Sequence, residues 1–441
     1  MSDHSEERSK RFTLKGWHVT FVAIAAVVGL IALYIVVTRS RLDHRLEALR
    51  AAGYPTTLAE LAEYNKLPAG TPNAAGVYVG AFAAYVPPLD ATSVPHLGSA
   101  QWPDRGTPLP EPMAKAISQC VTDNQLCLSL LHKAAGIQDC DHDWDWRQLA
   151  ATSFSQLAEV KHCAQLLALG AAYYSYTGDP NAAVRCIEDG LRLTDSLRRE
   201  PALLSYLLRT ACVGLIVGSL DRSLSATTFT DEQLTELDKA LTAAAGTLDL
   251  TQAMITERCI MIETCRNPFL MAGPGQSAGP RMLPGMTRTG IADTLDYMGD
   301  CIEASKLPPA ERLAGFREAA KKMDDLSFLH VMIKMLAPST GRVAELSLRA
   351  QAHVDMARTA LAIERYRLAT GKVPESLGEL VPQYVKEVPI DPFDGQPIRY
   401  KRTDPGYRLY SILEDGQDNG GKGKDEVNRG DPYDWPFIVT R

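Results

Sequence analysis

The pattern of apolar and polar positions divides the chain into three parts. From Gly16 to Thr38 no residue is charged, and residues 19–37 are almost wholly apolar. About 20 apolar residues in a helix cross the core of a bilayer. A cleaved signal peptide would have a shorter run with a small-x-small site behind it, whereas this run ends V-V-T-R-S-R. The expectation is an uncleaved single-pass anchor over residues 17–38, after a cytoplasmic tail of residues 1–16. Arg8, Lys10, Arg11 and Lys15 precede the span, and Arg39, Arg41, Arg45 and Arg50 follow it, so flanking charge does not choose an orientation. A short tail before the span and the bulk of the chain after it suit a signal anchor with that bulk outside the cytoplasm.

Residues 39–340 read as a helical body, because apolar positions recur at intervals of three and four. In residues 164–194 this spacing is interrupted by G-D-P-N-A-A, a turn in which Asp179 is placed to cap the next helix and Pro180 to begin it. This helix–turn–helix is similar to a single tetratricopeptide unit, but no 34-residue period is sustained. An irregular solenoid of helix pairs is expected. Thr230 and Gln233 have the spacing of a capping box at another helix start. Residues 93–112 and 267–289, rich in proline and glycine, are expected as loops on this body.

The pattern changes again after residue 340. Residues 341–370 predict one long helix, stopped by Gly371 with Pro374 beyond it. Residues 398–402 and 407–413 alternate as strands about a D-P-G turn. A long helix and a small antiparallel sheet make residues 341–441 an α+β module. The fold class is therefore mainly α with this module at the end.

Composition changes the picture little. The 441 residues are 45% apolar and carry a net charge of −7 without a concentrated basic stretch, which excludes a nucleic-acid partner. Nine cysteines, all in the middle of the chain, form no C-x-x-C and lie in apolar surroundings, where cysteine acts as a small hydrophobe.

The last hundred residues also carry three ordered motifs: I-E-R-Y-R-L-A-T-G-K-V-P-E-S-L, Y-V-K-E-V-P-I-D-P-F-D-G-Q-P-I-R-Y and G-Y-R-L-Y-S-I-L-E-D-G-Q-D-N-G-G. In these the segment resembles the major pseudopilin of type II secretion systems. That resemblance implies a calcium-binding loop, with Asp415 and Asp425 as ligands, Asp418 as a further candidate and the carbonyl of Ile412 contributing. Calcium takes six to eight oxygens, and glycines let a backbone wrap closely enough to supply some of them. The resemblance also implies placement at the bacterial inner membrane with the bulk periplasmic. Leu413 stands where the family has a glycine. At the membrane boundary Arg11 and Gly16 replace the family's glycine and glutamate, which argues against peptidase cleavage and fibre assembly.

Other motifs have plainer readings. Residues 415–426 match part of an EF-hand, but Gln417 stands at loop position three in place of Asp or Asn and a strand precedes the loop. The G-Q-S-A-G around Ser277 lacks the strand and helix that a nucleophile elbow needs. His142 among three aspartates in residues 140–146 is crowded for a metal site, and an ordered surface loop is expected. His162, His330 and His353 fall within helices and are read as structural. Glu263 and Arg266 have the spacing of a helix-face ion pair. The function expected is that of a membrane-anchored envelope scaffold or binding protein with a protein partner, accessory to a type II secretion or pilus-like system. The alternatives are an envelope hydrolase and an atypical pseudopilin subunit.

Overall fold

The structure, a computed structural model, describes residues 16–144, 149–200, 202–267, 284–324 and 339–441. Ser277, His330, Asp145 and Trp146 lie outside the described residues.

The described residues form thirteen α-helices and one three-stranded antiparallel sheet. The first helix, α1 (Gly16–Ala51), is 36 residues long, about 54 Å at the usual rise. Its apolar part carries Phe21, Ile24, Val27, Val28 and Leu30, each more than half exposed. Its last turns are docked: Leu42 and Leu46 pack with Ile262, Cys265, Ile291 and Leu295, and Arg45 reaches Asp296 at 2.5 Å. The apolar segment thus continues into the body as one helix.

The short helices α2 (Leu58–Asn65), α3 (Ala75–Ala83), α4 (Glu111–Asp123) and α5 (Gln125–Ala135) lead to the long α6 (Leu149–Tyr176). The next two, α7 (Pro180–Asp195) and α8 (Leu203–Ala226), pack against α6 and each other. Asp179 accepts from the Ala182 amide at 3.0 Å, and Pro180 opens α7. Inside α7, Gly190 lets α8 approach: a Cβ there would stand 2.4 Å from Cδ1 of Ile216. The Thr230–Gln233 capping box opens α9 (Asp231–Thr247).

A second group, α10 (Leu250–Arg266), α11 (Pro284–Lys306) and α12 (Pro309–Asp324), shares a smaller core with the starts of α8 and α13 (Ser339–Thr370). Glu263 and Arg266 pair on α10 as their spacing suggests. Glu111 and Pro112 of the expected loop already open α4, and residues 93–110 contain no helix or strand. They are strapped over α8 by an Arg105–Asp221 ion pair of 2.7 Å and by Arg222, which donates to the Pro103 carbonyl and lies over Trp102.

Among the described residues, α8 is long and apolar enough to cross a membrane, but more than half of its apolar window is buried within the protein. A helix apolar on all sides is either a membrane span or the centre of a core. α8 contacts α6, α7, α13 and the sheet, and its Arg209 and Asp221 are buried with partners. It is the central core helix.

The sheet contains the two expected strands, β1 (Arg399–Arg402) and β2 (Tyr407–Ser411), and a third, β3 (Trp435–Val439), in the order β1-β2-β3. Pro436 hides β3 from a reading of the sequence, but proline is tolerated because β3 is an edge strand. Val354, Leu361, Tyr407, Phe437 and Val439 belong to one core cluster with α6, α7 and α8. The core is continuous across residue 340. Polar contacts fasten the same joint: Arg358 to Asp238, Arg365 to Asp231 and Arg441 to the Thr228 hydroxyl. All nine cysteines are buried and unpaired.

Candidate functional sites in the C-terminal loop and on the helical body

The glycine-rich loop links β2 to β3, and its shape is set by ionic groups that reach it from the sheet. Arg408 of β2 pairs with both oxygens of Glu426 at 2.9 Å and donates to the Gly421 carbonyl at 2.5 Å. Lys401 of β1 donates to the Gly420 carbonyl at 2.9 Å and lies over the Tyr410 ring. Asp434 is fully buried at the foot of β3. Its Oδ2 accepts from the Gly421 amide at 2.6 Å, and its amide donates to the Lys422 carbonyl. Burial pushes the Asp434 carboxyl above the ordinary range.

The expected calcium ligands are spread along this loop. Asp415 is exposed, its Oδ1 taking the Gln417 amide at 3.0 Å. Asp418 takes the Gly420 amide at 2.8 Å and faces the Tyr410 hydroxyl at 3.5 Å. Asp425 is exposed in a short 3-10 turn, Lys424–Glu426. Ile412 is buried, and its amide donates to Asp391 at 3.0 Å. Among the described residues no three His, Cys, Asp or Glu side chains are close enough together to hold a metal ion.

Asp391, inside the P-I-D-P-F-D-G segment, is a group that reasoning from the sequence missed as an individual residue. It is fully buried and accepts four hydrogen bonds: from Ser411 Oγ, from the Phe393 and Ile412 amides, and from Arg399 at 3.0 Å. Burial still pushes its carboxyl above the ordinary range, against these bonds. Arg399 also pairs with Asp394. The segment is therefore a polar staple between the turn before β1 and the end of β2.

On the helical body, α5, α7 and α9 line a groove of about 510 Å³. His132 turns Nδ1 to both oxygens of the buried Asp189, at 3.2 Å. Glu188 and Glu236 share the groove, and burial followed by those neighbouring carboxylates raises Glu188 above the ordinary range. A second cavity, about 470 Å³ and mostly apolar, lies between α8, α13 and β3. There His353 is buried edge-on to Trp435, and burial holds it down to about 4, hence neutral near pH 7. His162 is half-exposed on α6, stacked on Tyr85.

Residues 140–144 form an ordered loop as expected. Asp141 accepts from the Leu67 and Asp143 amides, both at 2.9 Å, and Asn73 bonds its backbone. His142 stacks on Phe82 with Nε2 at 3.4 Å from Cys140 Sγ. Beneath the loop lies Glu200, a residue that nothing in the local sequence marks. It is 3% exposed, and neither carboxyl oxygen has a hydrogen-bond partner.

The chain matches no known protein family, no characterised protein and no solved structure.

Proposed function

We propose that the chain is a binding protein tethered to the bacterial inner membrane by residues 17–38, with its bulk in the periplasm. The helix pairs of the body form an irregular solenoid that serves as the scaffold. Residues 341–441 form a pseudopilin-like module docked on it, and the whole assists a type II secretion or pilus-like assembly. The observation that supports this best is the docking itself. The long helix α13 and strand β3 are consumed in packing against α8 and α9. Faces packed within the chain are not free for a neighbouring subunit, so an accessory role suits the chain better than a place in the filament. The unbroken helix from the apolar segment into Leu42 and Leu46 suits a stiff tether.

Calcium on the β2–β3 loop belongs to the same proposal, drawing Asp415, Asp418, Asp425 and the Ile412 carbonyl together. Calcium modules outside the cytoplasm bind at roughly 10⁻⁴–10⁻³ M, and an ion bound only by the folded state raises its stability. The test uses the full chain in detergent. Millimolar calcium should raise the melting temperature, and Asp415→Ala with Asp425→Ala should remove the rise; identical melting with calcium and with chelator would sink this part. For the partner, cross-linking in intact cells followed by pull-down should recover an envelope assembly component. Recovery of the chain alone would overturn the accessory role.

An envelope hydrolase is the second reading, favoured by one observation. Asp189 can fix the imidazole of His132 with its Nε2 as the free base, the orientation used in general-base catalysis. A hydrolase screen in which His132→Ala abolished turnover would decide for it.

A further inference from the structure

The region under residues 140–144 holds polar atoms that the protein itself does not satisfy. Arg199 and Glu200 follow α7 at the corner that leads to α8, and α2 ends nearby. Together with Asp141, Asp143 and Trp144 they line a cavity of about 110 Å³, room for several waters or one small molecule. Both carboxyl oxygens of Glu200, Nε1 of Trp144 and Nε of Arg199 are buried without partners. Buried polar groups are almost always paired, so four in one place call for a cause.

The surrounding groups are committed elsewhere. Arg199 gives its terminal nitrogens to Asp139 at 3.0 Å and to the Asn65 and Lys66 carbonyls. Asp141 is occupied by backbone amides. The vacant set is thus two acceptors on an acid and two donors on an indole and a guanidinium. The charges around Glu200 are Asp141 and Asp143 from the loop, Glu63 and Lys66 from the end of α2, and Arg199 beside it. With Glu200 ionised, they favour a positive group at its carboxylate.

We infer that this cavity binds a small zwitterion of the α-amino-acid class, its ammonium on Glu200 and its carboxylate on Trp144 Nε1 and Arg199 Nε. Each half of such a ligand meets one half of the vacant set, and the small volume admits only a short side chain. Burial, with Asp141 adding to it, pushes the empty site's Glu200 up to about 10, so this carboxyl is protonated near neutral pH. An ammonium favours the carboxylate, and binding therefore releases a proton.

The experiment is calorimetry on the full chain in detergent, with glycine and L-alanine as probes and with acetate and methylammonium as half-ligands. The titration is repeated in buffers of different ionisation enthalpy. Saturable binding of the amino acids with release of about one proton, and at least about tenfold weaker binding of each half, is expected from the loss of paired charges. Glu200→Gln, which keeps the shape of the neutral acid, should abolish the proton release and weaken binding at least about tenfold. Trp144→Phe should weaken it less and leave the proton release in place. Absence of binding by either amino acid, or equal binding by Glu200→Gln, would overturn the inference and leave a cavity for water only. Neither outcome depends on the membrane or partner reading above.

Discussion

The β2–β3 loop and the corner around Glu200 are both rich in charged groups and treat them in opposite ways. At the loop and the sheet beside it, several carboxylates drawn in from solvent have cationic partners. Arg408 holds Glu426, Arg349 holds Glu414, and Arg399 holds Asp391 and Asp394. At the corner Glu200 is more deeply buried than most of these and has none. The lesson is that a crowd of charges in a sequence says little about function until their partners are known. Paired charges are staples. Unpaired buried ones store a cost that only a ligand, water or protonation relieves.

The comparison can be broken first at Asp391. Removing one member of a buried ion pair typically costs ~3–5 kcal/mol. Asp391→Ala also strands the Ser411 hydroxyl and the Ile412 amide. Chemical denaturation should show a loss in that range, and a loss below ~1 kcal/mol would mean that the staple is not structural.

At Glu200 the sign is reversed. Its folded carboxyl titrates near 10, above the ~4.3 of an unfolded glutamate. The unfolded state therefore gives up its proton first, and stability falls as pH climbs from about 4 towards 10. Glu200→Gln removes this penalty. It should stabilise the protein by ~1–3 kcal/mol at pH 8 and by almost nothing at pH 4. Equal effects at both pH values would show that the group is not buried as an acid.

The smallest effect is expected at Glu426. Burial alone would raise its carboxyl, but hydrogen bonds from Arg408 and the Gly423 amide hold it below the ordinary range. Its contribution is present above pH ~4.3 and lost as pH falls through its lower folded value. Because its side chain is 43% exposed, Glu426→Gln should cost less than ~1 kcal/mol, and less again at high salt. A larger loss would make the loop a more rigid element than its exposure implies.

Much of the fold was legible along the chain because it depends on near neighbours. Asp179 and Pro180 begin a helix, Thr230 and Gln233 box one, and Glu263 meets Arg266 three residues on. These are contacts within one turn, set by local geometry. The sheet was legible in two strands of three, since Pro436 breaks the propensity signal of β3 and only its antiparallel register against β2 shows that it pairs. The groove at His132 was not legible, because Asp189 lies fifty-seven residues away on another helix.

By itself, then, the sequence determined the apolar run of residues 19–37, the helix starts, and the change to an α+β pattern after residue 340, all of which follow from periodicity and backbone preference. Only the tertiary structure decided that this last module shares one core with the helical body, that α8 is the buried centre, and that Glu200 is left without a partner. The physical reason is that burial and pairing are properties of what folds next to a residue, and the residues that pack around α8 and Glu200 come from segments far apart in the chain.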